Sequence, residues 1–131
     1  MTQRLATGAK SLLCDDRMSA IIGPVFEIEL HDEVEEWIDT LTAQERDRTI
    51  VVVERLAADG FTARMPYSRA LGEGLFELRF ALGTTARRIT YRFTSDQRII
   101  LLTTFRKQRN IERNEITRAR AVAADCARRN P

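Results

Sequence analysis

Apolar and charged positions along this chain alternate in two different rhythms, and the change of rhythm marks out its elements. Val25-Phe26-Glu27-Ile28-Glu29-Leu30 alternates apolar with acidic from Phe26 onward, the period of a strand buried on one face. After His31-Asp32, which reads as a helix start, Val34, Trp37, Ile38 and Leu41 recur at i, i+3, i+4 and i+7. They form one apolar stripe on a helix whose other face is acidic. Thr42-Ala43-Gln44-Glu45 has the form of a capping box and opens a second helix, with Ile50, Val53 and Leu56 or Ala57 expected on its core face and Gly60 at its end. The connection is so short that the two helices must form a hairpin.

Residues 60–74 contain Pro66, Gly72 and Gly74 and read as an irregular connection. Three strands are predicted beyond it. Residues 75–80 put Phe76, Leu78 and Phe80 on one face with Glu77 and Arg79 on the other. Residues 88–93 put Ile89, Tyr91 and Phe93 on one face with Arg88, Thr90 and Arg92 on the other. Residues 98–105 are more uniformly apolar, as in a central strand covered on both sides. The links between the three are of hairpin length. A last helix is expected over about 112–128, with Ile116, Ala119 and Ala123 as its apolar positions. The order β-α-α-β-β-β-α predicts an α+β fold, a small antiparallel sheet with the helical hairpin on one face. Residues 1–23 lack periodicity and read as an N-terminal extension or as sequence upstream of a second start at Met18, with a single domain over 24–131.

Composition narrows the class. A chain of 131 residues with 44% hydrophobic and 31% charged residues has the makeup of one globular domain. Its longest apolar runs, such as Ile99-Ile100-Leu101-Leu102, fall far below the roughly 18 residues of a membrane span. Asp15, Asp16 and Arg17 interrupt any secretory h-region near the start. Cys14 and Cys126 stand alone at opposite ends, which fits a reducing, cytoplasmic setting better than a disulfide framework. With one histidine, His31, and two distant cysteines, no metal ligand set is expected, and no other cofactor is implied.

The charge, by contrast, is strongly placed. Residues 1–78 carry 8 Lys/Arg against 15 Asp/Glu, a net of −7, whereas residues 79–131 carry 13 against 4, a net of +9. The natural partner of such a concentrated positive field is a polyanion such as nucleic acid. If Phe76, Leu78, Ile89, Tyr91 and Phe93 face the helices, Arg79, Arg88 and Arg92 emerge together on the open face. Arg106-Lys107-Gln108-Arg109 adds further cations just past the last strand. Guanidinium groups suit phosphate and stay charged at any physiological pH. The bland alternative is a solvated face whose arginines pair with Glu77, and the two readings weigh about equally on composition alone. Tyr91 is most simply a core residue and becomes a base-stacking candidate only if it faces outwards.

Gly74-Leu75-Phe76-Glu77-Leu78-Arg79-Phe80, then Arg88-Ile89-Thr90-Tyr91-Arg92-Phe93, then Ile100-Leu101-Leu102-Thr103-Thr104-Phe105-Arg106-Lys107 resemble the HigB-type toxins of the RelE/ParE superfamily, phage-derived members of bacterial toxin–antitoxin modules. The resemblance covers about residues 25–125, and Glu115 and Ala119 match the helix that follows. It implies a metal-independent messenger-RNA endoribonuclease, commonly acting on the translating ribosome, with a helix-turn-helix antitoxin (HigA-like) as partner. Carried over by position, Arg79 and Arg88 would hold the phosphate and its developing charge, and Lys107 would be the general acid/base. As a base near neutral pH, such a lysine needs a lowered pKa, which clustered arginines can supply. Arg92, Arg106, Arg109 and Tyr91 would complete the RNA-binding set. The chain departs from the pattern at Thr103-Thr104, where the family has His-Gly, at Gln108 in place of a second lysine, and at Arg87 in place of an aromatic. A ParE-like gyrase inhibitor and a non-catalytic RNA-binding module are the competing readings.

Overall fold

The computed structural model describes residues 2–4, 25–108 and 112–131. It contains β1 (Thr2–Arg4), β2 (Glu27–His31), α1 (Asp32–Asp39), α2 (Ala43–Asp59), a 3-10 turn (Gly60–Thr62), β3 (Ser68–Gly72), β4 (Leu75–Leu82), β5 (Thr85–Phe93), β6 (Arg98–Arg106) and α3 (Glu112–Arg129). The strands form one sheet in the order β1-β2-β6-β5-β4-β3. The mixed α+β class expected from the periodicities is therefore present, with a different sheet. β2 runs parallel to β6, pairing Glu27 with Arg98 and Leu30 with Leu101, so the sheet is mixed where an antiparallel one was expected. Two strands also went unanticipated. The backbone of β1 pairs antiparallel with β2; the rest of the expected N-terminal extension, residues 1 and 5–23, lies outside the described residues. β3 falls within the supposed irregular connection and pairs with β4.

The helical hairpin covers one face, as its stripes require. Val34 and Ile38 of α1 and Val52, Val53, Leu56 and Ala57 of α2 bury against Ile28, Leu30, Leu78, Phe80, Ile89, Tyr91, Ile99 and Leu101. The capping box forms as expected: Thr42 Oγ1 accepts from the Glu45 N–H at 3.1 Å, and Glu45 Oε1 accepts from the Thr42 N–H at 3.0 Å. The expected core positions Val53, Leu56 and Ala57 of α2 are buried, and Ile50 is the one that differs. Thr49 and Val52 turn inward, and Ile50 is only half-buried. Thr49 can afford burial because its hydroxyl donates back to the Glu45 carbonyl at 2.9 Å.

The opposite face is partly covered too. Ala119 and Cys126 of α3, flanked by Val122 and Ala123, pack on Leu75, Ile100 and Leu102. This second layer explains why β6 is apolar on both faces. A register shift between Thr90 and Tyr91 pairs Thr90 with Thr103 and Tyr91 with Leu101, which lets Ile100 and Leu102 both reach the α3 side. None of the described helices is long and apolar enough to cross a membrane.

Candidate nucleic-acid interface

β4 and β5 bring the two motif arginines together. Arg79 and Arg88 are direct cross-strand partners, so strand alternation puts both side chains on the face away from the hairpin. β6 continues the same row with Phe105 opposite Arg88. Just beyond β6, the Lys107 N–H donates to the Ala86 carbonyl at 2.9 Å, extending the ladder by one pair. Alternation from Phe105 assigns Lys107 to the same face as Arg88. Thus Arg79 and Arg88 stand side by side on one face, and alternation carries Lys107, just past the end of β6, to that same face.

They do not present themselves equally. Lys107 is exposed. The Arg79 side chain is 24% exposed and its Nη1 lies 3.4 Å from the sulfur of Met65. Arg88 is buried, and its Nη1 donates to the Arg87 carbonyl at 3.1 Å. Burial, and then the nearby Arg79, draw the Arg88 guanidinium below its ordinary pKa. Arg79 and Lys107 are therefore the accessible cations of this face, and Arg88 is the buried one.

Glu77 lies between the two arginines. Its Oε1 is 3.8 Å from Arg79 Nε and 3.7 Å from Arg88 Nε, so the ion pairing weighed as the bland alternative is real. Arg69 of β3 is directly opposite Glu77 on the other side. Sequence reasoning gave Glu77 only the part of a surface partner and overlooked Arg69. With β3 read as a loop, no pairing existed to place Arg69 beside β4.

The remaining candidates are dispersed. Arg92 is engaged by the C-terminus of α3, where its Nη1 donates to the Asn130 carbonyl. The expectation that it joins the open arginine face is corrected, because α3 closes over that part of the sheet. Tyr91 is 1% exposed, stacked on Phe76 with ring centroids 5.4 Å apart and bonded through its hydroxyl to Ser68 Oγ at 2.5 Å. It faces the hairpin, so its ring is filled by protein and has no side free for a base. Arg106 is exposed but pairs with Arg87, on the hairpin face beside Trp37, Leu41 and Glu45. Arg109 lies outside the described residues.

The departures from the expected motif have structural work to do. Thr103 Oγ1 pairs with Thr90 Oγ1 at 2.6 Å beside the site. Thr104 Oγ1 donates to the Arg88 carbonyl at 3.1 Å and accepts from Arg87 Nη2 at 3.0 Å. Arg87 also lies over the Trp37 ring, 4.5 Å from its centroid. These bonds fix the backbone on either side of Arg88 without a histidine.

Residues 36–123, more than half of the chain, match the model of a family described as Phage derived protein Gp49-like (DUF891). The matched stretch begins in α1, ends in α3 and contains Arg79, Arg88 and Lys107. Comparisons with curated proteins and with solved structures give no match.

Proposed function

This chain belongs to the Gp49-like, phage-derived family of RelE/HigB-type toxins from toxin–antitoxin modules, and on that footing we propose that it is a metal-independent endoribonuclease that cuts messenger RNA, on the ribosome, and so stops translation. The observation that carries the reading is the pairing of Arg79 with Arg88 on one sheet face, with exposed Lys107 following the neighbouring strand on the same side.

The chemistry asks little more of the protein than this arrangement. The 2′-hydroxyl beside the scissile phosphate attacks phosphorus in line. The O2′–P bond forms, the P–O5′ bond breaks, and a cyclic phosphate and a 5′-hydroxyl result. Lys107, exposed just past the end of β6, is the group we assign to exchange the proton between these two oxygens. Arg79, the more accessible arginine, supplies a planar donor fork to the non-bridging oxygens. Arg88 acts from below, through its field at short range, on the charge that grows on the phosphorane. The partner of such a toxin is its antitoxin, for which we propose the helix-turn-helix type.

Inducing the wild-type protein and an Arg79→Ala/Lys107→Ala double variant in bacteria, then mapping messenger-RNA 5′ ends, tests the reading. New ends with the wild type alone are expected. Growth arrest without new ends would sink it and favour the gyrase-inhibitor alternative.

A further inference from the structure

Glu77 is the buried charged group that this chemistry leaves unused. It is 0% exposed, and neither carboxylate oxygen has a hydrogen-bond donor among the described residues. Its distances of 3.7 and 3.8 Å to the two arginine Nε atoms exceed the roughly 2.7–2.9 Å of a closed charge-assisted hydrogen bond. Arg88 Nε is likewise buried and unbonded. Buried polar atoms left in this state are rare and costly, and their position calls for a reason. Here one carboxylate stands almost equidistant from two guanidinium groups that face each other across β4 and β5. Without it, two cations would confront each other with nothing between them.

We infer that Glu77 is a positioning residue of the cationic site: as the common counter-ion of Arg79 and Arg88 it fixes where both guanidinium groups stand, weakening the hold on RNA while setting the geometry in which RNA is cut. The inference rests on the nuclease reading. Its physical content is a split between binding and rate. A negative charge beneath a phosphate site opposes anion binding, so removing it strengthens attraction. The same removal releases Arg79 from the line it must keep during the reaction. Loss of a merely structural residue would weaken both together.

Protonation of Glu77 is the natural equivalent of removing its charge. The ionisable groups around it are Arg69 from β3, Arg79 from β4, Arg88 from β5 and Glu112 from α3. Burial, reinforced by Glu112, pushes its carboxyl above the ordinary value of 4.5, against the pull of Arg88, Arg79 and Arg69. Below its folded pKa, Glu77 is neutral. Lowering the pH through that pKa should therefore slow cleavage and tighten RNA binding in the wild type.

The test compares wild type, Glu77→Gln, Glu77→Asp, Arg79→Ala and Glu77→Gln/Arg79→Ala as folded, purified proteins. Binding is measured on a 2′-O-methyl messenger RNA that cannot be cut, and single-turnover cleavage on the matching messenger RNA, both loaded on ribosomes and followed across pH. Glu77→Gln should bind severalfold more tightly, cleave about tenfold or more slowly, and lose the tightening of binding that the wild type gains as the pH falls. In the Arg79→Ala background the same change should slow cleavage little further. Glu77→Asp keeps the charge but draws it back, so it should retain wild-type affinity while cutting more slowly. If Glu77→Gln fails to fold, Glu77→Asp decides alone, and wild-type kinetics for it would overturn the inference. Equal losses of affinity and rate in Glu77→Gln, or an unchanged slowing in the Arg79→Ala background, would also overturn it. A wild type that binds but never cuts RNA defeats the nuclease reading instead, whereas a Glu77→Gln that binds no more tightly defeats this one.

Discussion

Gly60 shows how much one residue can decide. It ends α2 at φ +51°, in the left-handed region, and a Cβ built there would lie 2.3 Å from Phe26 Cε1. The Phe26 ring has little room to yield, because Phe61 and Phe93 pack edge-on against it at centroid distances of 5.0 and 5.4 Å. Gly60→Ala should therefore cost about 1–3 kcal/mol in a urea unfolding experiment, from backbone strain and overpacking together. An unchanged midpoint would mean that the ring moves freely. Helix termination at Gly60 was legible in the sequence, but the aromatic wall behind it was not, since Phe26, just before β2, and Phe93, at the end of β5, are distant from Gly60 along the chain. Tyr91 makes the same point from the other side. Alternation places it with Ile89 and Phe93, and only the hairpin packed over that face shows that its ring is enclosed. Its hydroxyl is tolerated there because Ser68 supplies a partner.

At the scale of elements, local chemistry is most legible where it is self-contained. The reciprocal bonds of Thr42 and Glu45 involve residues three apart and need nothing from the rest of the molecule. Thr42→Ala should lower stability by about 1 kcal/mol and the melting temperature by a few degrees, with Thr42→Ser restoring most of it. Calorimetry of the three proteins checks this, and a cap worth nothing would leave them superimposed. β3 illustrates the reverse. Ser68-Arg69-Ala70-Leu71-Gly72 has no sustained alternation, and Arg69 and Ala70 are exposed, because an edge strand buries little. Its identity comes from pairing with β4, not from its own pattern. The phase of α2 fell between these cases. A helix carrying Ile50, Val51, Val52 and Val53 in a row offers several apolar faces, and the sheet chooses Val52 and Val53.

Over the whole molecule, the reversal of charge becomes a matter of position. Arg79 and Lys107 reach one surface, whereas Arg92 is spent on the Asn130 carbonyl and Arg98 on Glu29, at 3.1 Å, and Asp96, at 2.8 Å. Only part of the +9 carried by residues 79–131 is therefore free to meet the RNA proposed as its partner. Binding of uncleavable RNA should weaken linearly in log-log form with salt. Arg79→Ala should reduce that slope by about 0.7, the share of one phosphate contact on a single strand, and Arg92→Ala should leave it unchanged. Equal slopes for wild type and Arg79→Ala would remove Arg79 from the interface.

The sequence by itself determined the α+β class, the helical hairpin with its cap, the strands β2, β4, β5 and β6, α3, and the side of the sheet to which Arg79 and Arg88 belong. Each of these follows from periodicity or from contacts between neighbours in the chain. Only the tertiary structure decided that β2 runs parallel to β6, that α3 covers the second face and takes Arg92 with it, and that Glu77 is sealed between two arginines. Those outcomes depend on which distant segments come together, and a pattern of two or of 3.6 residues records which side is buried without recording what buries it.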